Sequence, residues 1–349
     1  MIQYLTDKKC PQTFVAPVIK LALDQTHQAL RKSPEQYGFL ASTNEYQTLK
    51  LMQLSISKVN DVCQSLLDNL QLDKLIPSPP VQSPPLYSAK GIKNTRRHME
   101  DRHIIIDDFN SIFNVKDSDQ TSYYAIFDGH GGTDAAAYSV SHLHCEIVAS
   151  KYYPVQPAEA LREAFLKTDE KFIEKSKKQK LISGATALCA LYRSTERQLY
   201  VGWAGDSKAL LVSQNRVLQI VTPHKPDSES ERSRIEESGG CVLEFPIGCF
   251  RVNGRLAVSR AIGDYGLKDV VISEPDIVCL KLNGNEDFLL MACDGLWDFV
   301  DEDEVALMVY ELLEKNQGKF IIVAHLNRVY IYCNIIIIGG PTILVLWGL

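Results

Sequence analysis

Tyr123-Tyr124-Ala125-Ile126-Phe127-Asp128-Gly129-His130-Gly131-Gly132 is the stretch of sequence that decides the fold. Its first five residues are a short apolar run, which predicts a buried strand. A second apolar run, at residues 288–293, also ends in Asp-Gly. Because strand ends hold side chains rigidly at the edge of a sheet, the two runs predict acidic side chains at such an edge.

Around these two runs the chain alternates predicted strands with predicted helices. Helices are expected at residues 133–150, 157–178 and 302–315, and strands at 186–192, 198–204, 209–213 and 216–221. Short turns join the neighbouring strands, so the sheets should be antiparallel and the helices should cover their outer faces. The pattern therefore predicts an α+β fold over residues 88–316.

The residues before this region predict a helical N-terminal extension, 1–76, followed by a proline-rich linker, 77–87. The dense prolines of the linker cannot continue a helix and favour an extended spacer; its P-x-x-P match to an SH3-type ligand is the alternative. Two apolar stripes support the helices, and they run through Phe14, Val18, Leu21 and Leu23 and through Leu49, Met52, Leu54, Val59, Leu66 and Leu70.

The last segment, 317–349, is a divergent apolar tail. Residues 329–349 carry no charge and are long enough to span a bilayer, which makes a membrane anchor one alternative. Gly339-Gly340-Pro341 would break such a helix, and the Ile, Val and Tyr content suits strands better. We therefore expect a strand pair here and no membrane partner.

Composition excludes several classes of protein. The chain has 349 residues and a formal net charge of −6, which argues against a nucleic-acid partner because such a protein needs a basic face. Its nine cysteines contain no C-x-x-C pair, so neither a zinc ribbon nor a disulfide scaffold is expected. Asp7, Lys8 and Lys9 interrupt the only apolar stretch near the N-terminus, which predicts cytoplasm or nucleus rather than secretion.

Acidic residues at predicted strand ends are the candidate metal ligands. Asp128 and Asp294 each end an apolar run, Asp206 follows a predicted strand and Gly205, and Glu100-Asp101 is an adjacent acidic pair. Oxygen ligands without zinc spacing fit a hard cation, Mg²⁺ or Mn²⁺. The alternative is that these acids only cap helices and turns.

Two further side chains suggest chemistry on a phosphate. His130 lies in a glycine-rich loop beside Asp128, which favours a general acid over a packed histidine. Arg96 and Arg97 lie four and three residues before Glu100. Arg96 could anchor a phosphate oxygen with its planar guanidinium; the alternative is an ordinary surface ion pair. His142 and His144 are predicted to be structural.

Taken together, six ordered blocks resemble the metal-dependent Ser/Thr protein phosphatases of the type 2C class. Six blocks in this order make the resemblance far more specific than any single motif. The residues around the first block and the helical N-terminal extension look closest to the calmodulin-dependent protein kinase phosphatase branch. The blocks are Arg96-Arg97-His98-Met99-Glu100-Asp101, residues 127–132, Ser183-Gly184-Ala185-Thr186, Gly205-Asp206-Ser207, residues 253–264 and residues 293–298.

The resemblance implies a four-layer sandwich in which two antiparallel sheets pack between helices, with two Mn²⁺ or Mg²⁺ ions at one end. By position, Asp128 would bridge the ions, Glu100 and the carbonyl of Gly129 would bind one of them, and Asp294 the other. Asp101 would act through water. A weaker third ion would involve Asp206, Asp294 and Asp298.

The implied reaction is hydrolysis of phosphoserine and phosphothreonine by metal-activated water. Arg96 would hold the phosphate and His130 would protonate the leaving group. Substrates would be kinases or signalling phosphoproteins, and the N-terminal helices could dock a partner.

The sequence departs from this class near its end. Members of the class carry a late Asp that ligates a metal, but no Asp follows Asp303 here, and Asn334 does not take over its role. We expect weaker metal binding and a high Mn²⁺ requirement. The alternative is a weakly active or inactive phosphatase-like binding protein.

Overall fold

A computed structural model describes residues 1–68, 85, 87–93, 96–214, 216–246, 248–315 and 333–339. The chain divides into two compact units. One comprises Met1–Ser83 together with Asp108–Gln120, and the other comprises Pro84–Asp107 together with Thr121–Leu349. The domain boundaries expected from the sequence remain predictions.

The N-terminal unit is built on two long helices that pack against each other. Its described elements are α1 (Ile2–Asp7), α2 (Gln12–Lys32), a 3-10 turn (Glu35–Tyr37), β1 (Phe39–Leu40), β2 (Glu45–Tyr46), α3 (Thr48–Asp68) and α4 (Phe109–Ile112).

The apolar stripes of this unit differ from those expected. On α2 the buried apolar positions are Val15, Val18, Ile19 and Ala22, whose spacing defines one helix face, and Leu21 lies off that face. The first turns of α3 do not contribute to this core, and Leu49 and Met52 there are exposed. The expected helices are thus present as α1, α2 and α3. The sequence identified only some of the side chains that these helices bury.

Residues 108–120 interrupt the second unit in sequence but belong to the first. α4 begins after Asp108, whose carboxylate accepts a hydrogen bond from the Ser111 N–H at 3.2 Å. Ile112 packs on the N-terminal apolar core, and Lys20 Nζ donates to Asn114 Oδ1 at 3.0 Å. Polar and apolar contacts therefore both tie this insertion to the N-terminal helices.

The second unit contains the predicted strand and helix alternation. Its strands are β3 (Tyr87–Ile92), β4 (Arg102–Ile106), β5 (Thr121–Phe127), β6 (Gly129–His130), β7 (Gly184–Ala185), β8 (Ala187–Arg193), β9 (Gln198–Ala204), β10 (Lys208–Ser213), β11 (Arg216–Gln219), β12 (Val242–Phe245), β13 (Cys249–Val252), β14 (Ile262–Gly263), β15 (Asp276–Lys281), β16 (Phe288–Ala292) and β17 (Cys333–Gly339). Its helices are α5 (Asp134–Ala149), α6 (Pro157–Gln179), α7 (Glu229–Glu237), α8 (Asp294–Trp297), α9 (Glu302–Lys315) and a 3-10 turn (Tyr265–Leu267).

Two five-stranded antiparallel sheets form the centre of this unit. The first has the order β11-β10-β16-β17-β3 and the second β15-β9-β8-β5-β4. Their inner faces share one apolar core, in which Tyr124 and Val201 of the second sheet join Leu210 and Phe288 of the first. This is the predicted α+β arrangement of antiparallel sheets, and it is confirmed.

Helices cover the sheets on their outer sides. Leu161 and Phe165 of α6 lie against Gly202 of β9 in the second sheet, and α5 packs beside α6. Val305 and Val309 of α9 enter the core that includes the first sheet. The layers place the carboxyl ends of β5 and β16 where one edge of the sandwich can carry a site.

β17 comes from the divergent tail and lies between β16 and β3 in the first sheet. Ile336 pairs with Met291 on one side and with Ala89 on the other, and Ile336 and Ile338 are buried. The tail thus supplies an interior strand of this sheet, next to its edge strand β3. Nearly all of the proline-rich linker and the last ten residues lie outside the described residues. Of the helices that the structure describes, none is both long enough and apolar enough to cross a bilayer.

Candidate active site

One cleft of the second unit collects nearly all the site residues expected from the sequence. Its volume is ≈ 780 Å³. Among those expected, Asp101 alone is not part of its lining. The cleft is lined by Arg96, Arg97, His98, Glu100, Asp128, Gly129, His130, Gly131, Thr186, Asp206, Arg251, Leu256, Ala257, Val258, Asp294, Gly295, Asp298 and Phe299.

The two Asp-Gly strand ends meet at the bottom of this cleft. Asp128 follows β5 of the second sheet, and Cys293 and Asp294 follow β16 of the first. Carboxylate oxygens of Asp128 and Asp294 and the sulfur of Cys293 all lie within 4.8 Å of one another. Packing of the two sheets therefore converts separate strand ends into one acidic cluster.

The cluster is crowded with negative charge. Burial, and then the neighbouring carboxylates of Asp294, Asp101 and Asp206, raise the pKa of Asp128 well above its ordinary value. Burial, with Asp294 as the next cause, raises the pKa of Asp206 to about 7. So many hard oxygen donors, brought together against their own repulsion, fit divalent cations such as Mn²⁺ or Mg²⁺.

Gly129 holds the acidic pair of the first block against the Asp128 turn. A Cβ atom at this position would lie 2.5 Å from the carbonyl oxygen of Glu100, so no larger residue fits without moving the backbone. Glu100 is half-buried and lines the cleft. Asp101 is buried behind it and accepts a hydrogen bond from Cys293 Sγ at 3.4 Å.

The turn that carries Asp206 is held by residues that the sequence pattern did not assign to the site. The Thr186 N–H donates to the carbonyl of Asp128 at 2.9 Å, and its hydroxyl lies 3.1 Å from that of Ser207. The His224 N–H donates to the Gly205 carbonyl at 2.8 Å, and its Nδ1 accepts from the Gly205 N–H at 3.2 Å. The Thr186 bonds link the Asp128 and Asp206 turns, and the His224 bonds hold Gly205, the residue before Asp206.

Basic side chains line the same cleft. Arg96 and Arg97 are exposed there, and Arg251 of β13 joins them from a segment in which no site residue was expected. Asp298 is also exposed, with an oxygen 3.8 Å from Lys225 Nζ. The cleft thus offers cations at its mouth and carboxylates at its base, an arrangement suited to a phosphate bound over divalent metal ions.

His130 lies beside Asp128 as expected, and it has a partner that was not foreseen. Its Nε2 is 2.8 Å from Oδ2 of Asp264, which is nearly buried. The other two histidines considered lie on α5, away from the cleft lining. His142 stacks on Tyr138 with 3.8 Å between ring centroids, and burial, with a smaller effect of His142, lowers the pKa of His144 to about 4. Both have packing roles.

Comparison with known proteins agrees with a cleft suited to binding a phosphate over divalent metal ions. The Protein phosphatase 2C family matches residues 86–329. The chain belongs to the protein phosphatase 2C family. The resemblance to the type 2C class expected from the sequence is thereby confirmed.

Individual relatives agree with this membership. The chain is 39% identical over 330 residues to Protein phosphatase 1E of Homo sapiens, covering 93% of this chain and 42% of that protein. It is 45% identical over 239 residues to Protein phosphatase 1F of Homo sapiens, covering 68% and 52%. The chain therefore spans about half the length of the curated relatives it matches.

Solved structures support the fold. A structure described as a C. elegans sex determining protein matches with a TM-score of 0.73 and 24% identity, covering 87% of this chain and 77% of that one. The serine-threonine phosphatase 2C from Toxoplasma gondii matches with a TM-score of 0.60 and 18% identity, covering 74% and 98%. At these identities the likeness concerns the fold alone.

Proposed function

We propose that this protein is a metal-dependent protein serine/threonine phosphatase that hydrolyses phosphoserine and phosphothreonine. One observation carries the proposal: Glu100, Asp128, Asp206 and Asp294 reach a single cleft from four separate segments. Membership of the protein phosphatase 2C family supports it. We extend the proposal to kinases or signalling phosphoproteins as substrates and to action in the cytoplasm.

Two Mn²⁺ or Mg²⁺ ions are the proposed cofactors. Asp128 would be shared between them, Glu100 and the Gly129 carbonyl would complete one side, and Asp294 the other. A weaker third position would use Asp206, Asp294 and Asp298, with Asp101 acting through water. When bound, the ions supply positive charge that neutralises phosphoryl oxygens and makes water a usable nucleophile at neutral pH.

The electrostatics of the chain prepare this site for cations. In the metal-free protein, burial and mutual repulsion keep protons on part of the cluster, as the raised pKa values of Asp128 and Asp206 indicate. A divalent cation replaces those protons and removes the repulsion, so binding should release protons near neutral pH. The carboxylates repel one another when no cation is bound, and the same carboxylates attract a bound cation as its ligands.

Two side chains act on the substrate itself. Arg96, exposed at the cleft mouth, can donate two parallel hydrogen bonds to phosphoryl oxygens and so fix their orientation. His130 would give a proton to the serine or threonine oxygen as it leaves. An alkoxide is a poor leaving group, and general acid catalysis of this kind contributes about 10²–10⁴-fold.

The alternative of a phosphatase-like binding protein rests on the missing late Asp alone. Among the residues that the structure describes, no observation favours it, because every other expected carboxylate except Asp101 lines one cleft. What the missing ligand predicts instead is weaker affinity for one ion. The enzyme should therefore turn over, with a raised metal requirement.

A phosphatase assay tests the proposal. Purified protein would be assayed against a phosphothreonine peptide over a Mn²⁺ titration, beside Asp128→Asn and a matched control, Asp269→Asn, at an exposed aspartate. We expect Mn²⁺-dependent turnover in the wild type and the control, and its loss in Asp128→Asn with an unchanged near-ultraviolet circular dichroism spectrum. Equal rates in Asp128→Asn and the wild type would reject the proposal.

A further inference from the structure

Asp264 and His130 form a close pair although 134 positions separate them in the chain. Their distance of 2.8 Å from Oδ2 to Nε2 is that of a charge-assisted hydrogen bond. His130 lines the cleft, whereas Asp264 is not among the lining residues and is 7% exposed. The carboxylate therefore contacts the imidazole from the protein side and leaves the cleft side open.

The backbone around Asp264 is held firmly in this position. Asp264 has a φ of +52°, and its N–H donates to the carbonyl of Ser183 at 3.1 Å. The preceding N–H, of Gly263, donates to Asp169 Oδ1 at 2.8 Å, and Lys268 pairs with the same carboxylate at 2.8 Å. A residue held in this sparsely populated conformation by several bonds indicates a functional constraint.

Gly184 explains how the two side chains can meet. It pairs with His130 in one strand ladder and with Gly263 in the next, so β7 runs between the two partners. A Cβ atom on Gly184 would lie 2.0 Å from Asp264 Oδ2 and 2.3 Å from His130 Nε2. Only the missing side chain lets the carboxylate reach the imidazole across the middle strand.

We propose that Asp264 is the positioning residue of the general acid, a role that rests on the proposed function of His130. The carboxylate keeps a proton on Nε2 and fixes the ring, which leaves Nδ1 as the nitrogen that serves the leaving group. The Nδ1 proton passes to the serine or threonine oxygen as its bond to phosphorus breaks. The imidazole is then neutral and still donates Nε2–H to Asp264, so the ring keeps its orientation through the step.

Leaving-group dependence separates this role from a structural one. Asp264→Asn keeps a hydrogen-bond acceptor and tolerates the positive φ, and Asp264→Gly keeps the backbone but removes the acceptor. At saturating Mn²⁺ we expect Asp264→Gly to lose ~10–100-fold in kcat on a phosphothreonine peptide and Asp264→Asn to lose less. On p-nitrophenyl phosphate, whose leaving group needs no proton, both should stay within about 3-fold of wild type.

A double variant gives the second readout. If both residues act as one unit, His130→Gln with Asp264→Gly should be no slower on the peptide than His130→Gln alone. Asp269→Asn, five residues further along, should behave as wild type.

Three results would overturn the proposal. They are equal losses on both substrates, additive losses in the double variant, and a His130→Gln enzyme whose losses do not differ between the two leaving groups. None of these results depends on whether the wild type shows Mn²⁺-dependent turnover. The role of Asp264 can therefore be rejected while the phosphatase proposal stands.

Discussion

Asp206 offers a test in which one substitution should stabilise the metal-free protein while weakening the metal site. This carboxyl is 7% exposed. Burial, then the charge of Asp294 and, to a smaller extent, that of Asp298 raise its pKa to about 7, although the charge of Lys225 acts in the opposite direction. In the unfolded chain an Asp has a pKa of ~3.9. Between pH 4 and 7 the unfolded chain therefore binds fewer protons than the folded one, and stability falls as pH rises.

The size of the effect follows from the two pKa values. Ionisation of Asp206 opposes folding by about 1.5 kcal/mol at pH 5 and by about 4 kcal/mol at pH 8, the latter an upper value because Asp294 shares the repulsion. Asn cannot ionise, so Asp206→Asn should raise the free energy of unfolding by up to these amounts. The gain must be larger at pH 8 than at pH 5.

Urea unfolding with EDTA present measures this difference. Wild type, Asp206→Asn and the exposed control Asp269→Asn would be compared at both pH values, and then again with Mn²⁺, which should stabilise the wild type more than Asp206→Asn. If Asp206→Asn were less stable than wild type at pH 8, or differed from it equally at both pH values, the description of a crowded, proton-retaining cluster would be wrong.

Three further predictions concern other parts of the second unit and the metal requirement. Arg260→Ala should cost about 1.5–3 kcal/mol in urea unfolding, because it removes the 2.6 Å partner of buried Glu231 but leaves Arg234 paired with the same carboxylate at 2.9 Å. Arg232→Ala, which breaks an exposed pair with Glu236, should cost less than about 1 kcal/mol. Burial, and to a smaller extent His142, lowers the pKa of His144 to about 4. The stability that the neutral His144 contributes is complete above pH 6.5 and is lost as pH falls towards 4, which amounts to a decline of about 2 kcal/mol in the free energy of unfolding between pH 7.5 and 5. In urea unfolding at these two pH values, His144→Leu should remove this decline. Because no Asp follows position 303, phosphopeptide turnover should need far more than micromolar Mn²⁺, and full activity at micromolar Mn²⁺ would contradict this.

The strands that carry the site were predictable because β5, β9 and β16 are short apolar runs followed closely by glycine or Asp-Gly. The strand at 198–204 and the helix at 302–315 have the bounds expected. The same glycines at strand ends identified Asp128, Asp206 and Asp294, since a strand end followed by a tight turn fixes both the backbone and the acidic side chain.

Contacts that depend on register between distant strands were not predictable. Asp264 stands in a recognisable block, but its contact with His130 requires β6, β7 and β14 to align at Gly184. Arg251 reaches the cleft from the hairpin of β12 and β13, to which the sequence pattern assigned no site residue. On α2, Leu21 looked like a core residue because apolar character alone does not fix which face of an amphipathic helix is buried.

Direct measurement of bound Mn²⁺ tests the central claim most sharply. Equilibrium dialysis of the wild type and Asp128→Asn against Mn²⁺, with the metal content of each protein determined, reports the site without relying on turnover. A shared carboxylate at Asp128 predicts two ions per chain in the wild type and fewer than two in the variant, whose fold is unchanged. Equal Mn²⁺ content in both proteins would contradict a metal centre built on these carboxylates.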